Sequence, residues 1–342
     1  MKGAWPDQFN LISKTTLSRS INAAKILSSY AVSRITGIPK HSGMPISISF
    51  EPTTSCNLRC PECPSGLRSF TRPTGALDNE LFKNVIDQLA DTLSYLLFYF
   101  QGEPYLHPDF LKLVNYAASK GIYTATSTNA HFLDSEAARE TVECGLDRLI
   151  ISIDGTTQET YQSYRIGGNL EKVLEGTRNI ITWKEKLGSK KPHTIFQFLV
   201  TRPNQHQITE LDALKTEYGV DQVVFKTAQI YDFENGSPLI PTIDKYSRYR
   251  QNDDGTYHIK NSLLNHCWKM WHSCVITWDG KMVPCCFDKD ANHVMGDLQK
   301  NSFKEIWKGE AYQQFRATLM KSRGEIDMCR NCTEGTKIFV EG

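Results

Sequence analysis

Three thiols fall within the stretch CNLRCPEC, residues 56–63. A disulfide would use two of them and strand the third, whereas a metal site uses all three. Pro61 and Pro64 each remove a backbone donor and restrict the residue before them, which disfavours a continuous helix. A loop wrapped round a metal is expected instead. Three thiolates at the spacing of Cys56, Cys60 and Cys63 suit an iron–sulfur cube, which keeps one iron open. Structural zinc would need a fourth protein ligand, and the following PSGLRSFTRPTG holds neither Cys nor His.

A second group of thiols lies towards the C-terminus. VITWDGKMVPCC has the pattern of a β-hairpin about Asp279 and Gly280. Cys267 precedes it, Cys285 ends it, and Cys329 and Cys332 follow as a CxxC. Two separated cysteines and a CxxC make four ligands, enough to saturate one metal site, and four cysteines also suit zinc. Adjacent strand residues face opposite sides, so only one of Cys285 and Cys286 is expected to ligate. Cys285 is preferred, and the choice stays open. Cys274 is left over, and Cys144 reads as a buried apolar residue.

These groups need a scaffold. Between residues 45 and 228 apolar runs and amphipathic stretches alternate: PISISFE, YLLFYF, IYTATST, RLIISID, HTIFQFLV and VDQVVFK read as strands, with helical patterns after the first five. Six such alternations predict a parallel sheet with crossover helices, an α/β fold with an open, partial (β/α)6 TIM-like barrel. Chemistry in such folds gathers at the C-terminal strand ends, and the first cysteine loop follows the first strand directly. Residues 1–44 are expected as an N-terminal helical extension, 229–265 as a polar connector, and 266–342 as a small Cys-rich iron–sulfur domain. That last segment has too little apolar mass for a core of its own, so a metal is its expected staple. In the extension, Leu17, Ile21, Ala24, Leu27 and Ala31 recur at helical spacing. The expectation is that this apolar face packs on the main domain; a helix lying on a membrane surface is the alternative.

Composition excludes several classes. Lys plus Arg is 39 against 38 Asp plus Glu, so no general nucleic-acid surface and no strong membrane signal is expected. There is no apolar run long enough to span a bilayer and no apolar signal region at the N-terminus. Ten cysteines in such a chain point to a reducing, cytoplasmic setting, where clustered thiols bind metal.

The cysteine loop after the first strand, with FQGEP, STNA and SIDG after the next three, resembles the radical S-adenosylmethionine superfamily over residues 45–335. The C-terminal zone resembles the short, twitch form of its SPASM auxiliary-cluster domain. The resemblance implies that Cys56, Cys60 and Cys63 hold a [4Fe–4S] cluster whose open iron chelates S-adenosylmethionine. Reductive cleavage then yields a 5′-deoxyadenosyl radical that abstracts hydrogen from a substrate. It further implies that Gly102, Glu103 and Pro104 receive the amino group, that Thr128 and Asn129 lie near the ribose, that Ser152 and Asp154 are the pair that reaches the ribose and the carboxylate, and that Arg165 clamps that carboxylate. A second [4Fe–4S] cluster is implied at Cys267, Cys285, Cys329 and Cys332. Three positions depart from the family pattern. Gln101 stands where the first glycine of the turn is usual, Ala130 where glycine is common, and Glu62 where many relatives have an aromatic residue beside the adenine.

An auxiliary cluster saturated by four cysteines has no iron to offer a substrate, and suits electron transfer. The reaction expected is therefore an oxidoreductase chemistry: a two-electron dehydrogenation of a sugar- or cyclitol-like alcohol, with a flavodoxin- or ferredoxin-type reductant. Lys226, at the end of the sixth strand, is a candidate proton acceptor, and no catalytic residue is assigned. A small-molecule substrate is preferred over a peptide, because some forty residues with one helix are short for a peptide-recognition domain. Peptide or protein modification is the enzymatic alternative. A zinc- or cluster-binding interaction or electron-carrier protein is the non-enzymatic one.

Overall fold

The computed structural model describes residues 5–335. Residues 1–4 and 336–342, the outer ends of the first and last expected segments, lie outside the described residues. All six predicted strands form: β1 (Ser47–Phe50), β2 (Tyr95–Phe98), β3 (Tyr123–Thr128), β4 (Arg148–Ser152), β5 (His193–Val200) and β6 (Gln222–Thr227). Five shorter ones follow: β7 (Tyr249–Gln251), β8 (Tyr257–Ile259), β9 (Ser273–Ile276), β10 (Lys281–Val283) and β11 (Gly296–Asp297). The chain packs as two compact units that interleave along the sequence. The first holds residues 5–9, Cys56–Ser69 and Ala125–Ser262; the second holds Asn10–Ser55, Phe70–Thr124 and the chain from Leu263 onward.

In the first unit, β3, β4, β5 and β6 run parallel, with Ile151 opposite both Thr128 and Phe196. Parallel strands need crossovers, and the helices Ser135–Glu143, Leu170–Lys186 and Leu211–Tyr218 supply them. Their starts are set by side chains that satisfy orphan amides: Asp134 accepts from Glu136 N and Ala137 N, and Asn169 accepts from Lys172 N. Residues 229–265 are more than the expected connector. Ala228, Ile230, Ile240 and Tyr249 form a buried cluster, and the Tyr249 hydroxyl accepts from Ile230 N at 2.8 Å. The sequence pattern hid this small core because its apolar residues are spread singly among turns.

In the second unit β1 lies between β2 and β9, parallel to both. The hairpin expected in the C-terminal zone is present as β9 and β10, with β11 beyond. Its first strand thus extends the sheet begun by β1. Trp271, Trp307 and Tyr312 are fully buried here, so the zone is packed by apolar mass as well as thiols. That agrees with the expectation that this segment has no core of its own: it shares one with the strand it joins. The rings of Phe50, Phe82, Phe98 and Phe110 follow one another at 5.3, 5.5 and 5.7 Å beneath the sheet.

The helix Leu17–Thr36 forms as expected, from a Thr16 N-cap to a left-handed Gly37. Its orientation is the reverse of the expectation. Arg19, Asn22, Ile26, Ser29, Tyr30 and Ser33 are the buried residues, and Leu17, Ile21, Ala24, Leu27 and Ala31 face outward. The physical reason is hydrogen bonding. Arg19 donates to the carbonyls of Ala90, Lys120 and Gly121, at the ends of the helices Asn79–Leu89 and Phe110–Ser119. A guanidinium there satisfies orphan carbonyls and meets the negative ends of two helix dipoles. Asn22 exchanges two 2.8 Å bonds with the Met44 backbone, and Ser33 accepts from Lys40 N at 2.8 Å. Tyr30 meets Trp268 and Trp271, each at 5.2 Å.

Candidate metal centres

The loop of the first three cysteines belongs to the first unit. It is not helical until Cys63, which precedes the short turn Pro64–Leu67. Leu58, Cys60 and Tyr164 are buried together, with Cys56 and Cys63 packed against them. The loop is pinned by its own backbone: Arg59 N donates to Ile166 O at 2.9 Å. A Cβ on Gly66 would stand 2.5 Å from Cys60 N, so no larger residue fits that close approach. Donors point at sulfur. Leu58 N lies 3.5 Å from Cys56 Sγ, Asn129 Nδ2 3.9 Å from the same atom, and Arg165 Nη1 3.8 Å from Cys60 Sγ.

Two strand ends meet this loop. After β3, Asn129 donates to Asn57 Oδ1 at 2.7 Å, tying the strand end to the loop. Thr128 Oγ1 accepts from Ala130 N at 3.0 Å, and Ala130 adopts φ +61°, which explains why glycine suits that position. His131 is fixed between Asn169 N, which donates to Nε2 at 2.8 Å, and the Asn129 carbonyl, 2.9 Å from Nδ1. The proton therefore sits on Nδ1. Burial holds this ring below the usual histidine value. After β4, Asp154 is fully buried and does not project to solvent. Its Oδ2 accepts from Arg165 Nε at 2.5 Å, its Oδ1 from Leu199 N at 2.7 Å. Burial opposes the Arg165 charge, but Asp154 and the Cys60 sulfur more than offset it and keep it protonated. Ser152 is buried at the end of β4, and Lys226 stands exposed on β6.

Gly102, Glu103 and Pro104 belong to the second unit. Gly102 has φ +75°, and a Cβ there would lie 2.1 Å from Thr53 O. The turn thus requires glycine at 102 and tolerates Gln101, which is not among the positive-φ residues. Glu103 N donates to Ser55 O at 2.7 Å, one residue before the cysteine loop, and its carboxylate accepts from Tyr105 N at 3.3 Å. The departure at Glu62 also has an account: its Oε2 accepts from Tyr231 N at 2.9 Å within the first unit.

Cys267, Cys329 and Cys332 are buried in the second unit, and Cys285 is half-buried. Arg323, fully buried, was not foreseen and lies among them. Its Nη2 is 3.3 Å from Cys332 Sγ and donates to Glu334 O at 2.8 Å, while Nη1 donates to His266 O at 3.1 Å. Its Nε is buried with no oxygen or nitrogen acceptor. Glu334 N donates to Cys332 Sγ at 3.3 Å, and a Cβ on Gly335 would stand 2.2 Å from Cys267 Sγ. Cys286 packs against Phe100, Val275 and Val283, with Lys269 Nζ 3.8 Å from its sulfur, and its thiol also meets that of Cys285, so the two do not face opposite sides as the strand pattern predicts. Cys274 is fully buried on β9. Among the described residues no three His, Cys, Asp or Glu side chains converge on a single-ion site. A cube binds each thiolate through a different iron, and its ligands stand further apart.

Residues 50–182 match the family model of the radical SAM superfamily. Residues 267–333 match the SPASM model, described as an iron-sulfur cluster-binding domain. The chain belongs to the radical S-adenosylmethionine superfamily. It is 27% identical over 301 residues to the tungsten-containing aldehyde ferredoxin oxidoreductase cofactor-modifying protein of Pyrococcus furiosus, covering 78% of this chain and 82% of that one. It is 26% identical over 323 residues to the mycofactocin maturase MftC of Mycobacterium tuberculosis, covering 86% and 80%. Its fold is similar to that of BtrN, solved in complex with AdoMet and 2-DOIA, with a TM-score of 0.53 at 20% identity over 89% of this chain and 97% of that one. The fold is therefore the partial TIM-like barrel of this superfamily with a C-terminal Cys-rich domain. The protein is a radical SAM enzyme with a SPASM domain, using a [4Fe–4S] cluster, S-adenosylmethionine and auxiliary iron–sulfur chemistry. Among the described residues no helix is long and apolar enough to cross a membrane.

The residues fit those groups. Amide and guanidinium donors 3.3–3.9 Å from thiol sulfurs, and a buried Nε with no acceptor, are what sulfur-rich clusters require of their surroundings. Gly335 leaves room against the Cys267 sulfur where a side chain would collide, and Gly66 leaves room for the backbone of the cysteine loop at Cys60.

Proposed function

We propose that this radical SAM enzyme removes two electrons from an alcohol carbon of a sugar- or cyclitol-like substrate. Cys56, Cys60 and Cys63 hold the cluster that binds S-adenosylmethionine. Gly102, Glu103 and Pro104 receive its amino group, Thr128, Asn129 and Ser152 its ribose, and Arg165 its carboxylate. Asp154 acts through Arg165, because both its oxygens are already engaged. Bound there, the cluster and S-adenosylmethionine supply a 5′-deoxyadenosyl radical. The chain's own residues orient the carboxylate, bury the thiolates and keep water away. Cys267, Cys285, Cys329 and Cys332 hold one auxiliary [4Fe–4S] cluster, in the 266–342 domain that follows the 45–228 barrel and the 229–265 segment. A flavodoxin- or ferredoxin-type protein in the cytoplasm supplies the first electron.

The observation that carries the oxidation is Arg323. A buried guanidinium against the auxiliary thiols favours a more negatively charged, reduced cluster, which suits an electron acceptor. Anaerobic reconstitution should give about eight irons per chain, two cubes. Reduction with S-adenosylmethionine and a polyol deuterated at one carbon should move deuterium into 5′-deoxyadenosine and yield a carbonyl product. Deuterium transfer without a carbonyl would remove the oxidation from the proposal. Peptide modification is a second reading, favoured by the similarity to MftC, a mycofactocin maturase. Deuterium arriving from a labelled precursor peptide would select it.

A further inference from the structure

The outward face of the helix Leu17–Thr36 has no place in the reaction. Among the described residues seventeen large apolar side chains are exposed, and Ile12, Leu17, Ile21, Leu27, Val32, Ile35 and Ile38 are among them. Seven within so short a stretch make a patch, not scatter. On the helix, Leu17, Ile21, Ala24, Ala31 and Ile35 form one stripe, opposite the buried Arg19, Asn22, Ile26 and Ser33. Leu17 is 78% and Ile35 85% exposed, at the two ends of the stripe.

Charge names the partner. Residues 8–50 contain no Asp or Glu, but five Lys or Arg, in a chain otherwise balanced at 39 to 38; Arg19 is buried, which leaves four cations outside the buried face. Lys25 lines the groove beside Leu17 and Ile21 together with Lys304 and Lys308 from the C-terminal zone; Asp91 is the acidic residue on that wall. Arg34 lines the groove beside Leu27, Ala31 and Ile35 on the other flank. The exposed apolar residues of this helix are all aliphatic. Protein interfaces rely on aromatic and arginine anchors in complementary pockets, which this stripe does not offer; a bilayer needs only apolar area to bury and cations beside it to meet anionic headgroups. The polar face that a surface helix normally gives to water is here used to bind it to the protein body. We propose that this face docks on an anionic phospholipid surface, with the helix lying in the plane of the headgroups.

The test is flotation of the reconstituted full chain with vesicles of phosphatidylcholine, with and without phosphatidylglycerol. The wild type should float with the anionic vesicles and stay behind with the neutral ones. Lys25→Gln should weaken flotation about fivefold, the value of one lysine near an anionic surface. Leu17→Ser with Ile35→Ser should weaken it about tenfold or more. Both variants alter outward side chains, and both should keep wild-type S-adenosylmethionine cleavage in solution. Failure of the wild type to float, or undiminished flotation of the double variant, overturns the proposal. So does a wild-type dimer that the double variant turns into monomer without any vesicle binding, which would assign the face to a second copy of the chain. Flotation does not depend on which alcohol or peptide is attacked, so it stands or falls apart from the reaction proposed above.

Discussion

Each cysteine group has an arginine beside it, half-buried in the first and fully buried in the second, and the two are held differently. Arg165, 3.8 Å from Cys60 Sγ, is paired with the fully buried Asp154. Arg323, 3.3 Å from Cys332 Sγ, is held by the carbonyls of His266 and Glu334, and among the described residues no carboxylate pairs with it. In the first region a neutral pair fixes a geometry: the fork is aimed, while its net charge is already cancelled. In the second the charge itself is left to act on the thiols. A fixed, neutralised fork suits recognition of a small-molecule carboxylate. An uncompensated buried cation suits control of a potential. The lesson is that identical residues beside similar sulfur sites can do different work, and the counter-ion decides which.

The comparison breaks most visibly if the thiols are removed in turn. Cys60→Ala should abolish 5′-deoxyadenosine formation and lower iron by about four per chain. Cys329→Ala with Cys332→Ala should lower iron by a similar amount and stop substrate oxidation, yet leave S-adenosylmethionine cleavage within about a factor of ten. Equal loss of cleavage from both would mean that the two regions do not divide the work.

The arginines come next. Arg165→Lys should raise the dissociation constant for S-adenosylmethionine about tenfold to a hundredfold, as loss of a charge-assisted fork does. It should leave the auxiliary potential unmoved. Arg323→Gln should do the converse: a more negative auxiliary potential in an EPR-monitored titration, with S-adenosylmethionine binding unchanged. Asp154→Asn should raise KM for S-adenosylmethionine by about tenfold, with partial recovery in Asp154→Glu. If Asp154 acted on the reacting atoms instead, kcat would fall and KM would stay.

The strands and the first cysteine loop were legible because their signals are local. Short apolar runs between amphipathic stretches predicted β1 to β6, and two prolines kept residues 56–63 out of a helix. What was hidden depends on partners far along the chain. Arg323 is an ordinary polar residue until Cys267 and Cys332 surround it. Asn57 gains meaning only from Asn129, seventy-two positions on. The helix Leu17–Thr36 misled for the same reason: periodicity found its apolar stripe correctly, but Arg19 buries the other side to reach carbonyls of two helix ends. A hydrophobic stripe predicts burial only when the polar face has nothing better to bind.

The smallest effect should come from acid. Both regions bury histidines, but not equally. In the second unit, burial and the nearby Arg316 push His41 down to about 3, and burial with Lys269 pushes His272 down to about 4. In the first unit His131 is lowered by burial, with Lys172 and Arg165 acting in the same direction. A histidine that resists protonation when folded takes up protons more readily when unfolded. Stability therefore rises with pH across that window, and is lost as pH falls from the ordinary value of 6.5 towards 3–4. Denaturant midpoints should be flat above pH 7 and decline below about 6.5. With two strongly lowered rings on its side, the auxiliary region should release iron at a higher pH than the first region does. Iron retention measured in the Cys60→Ala and the Cys329→Ala, Cys332→Ala proteins reads the two regions separately. Release in the opposite order would show that the thiolates and their arginines, not the histidines, set the acid limit of each half.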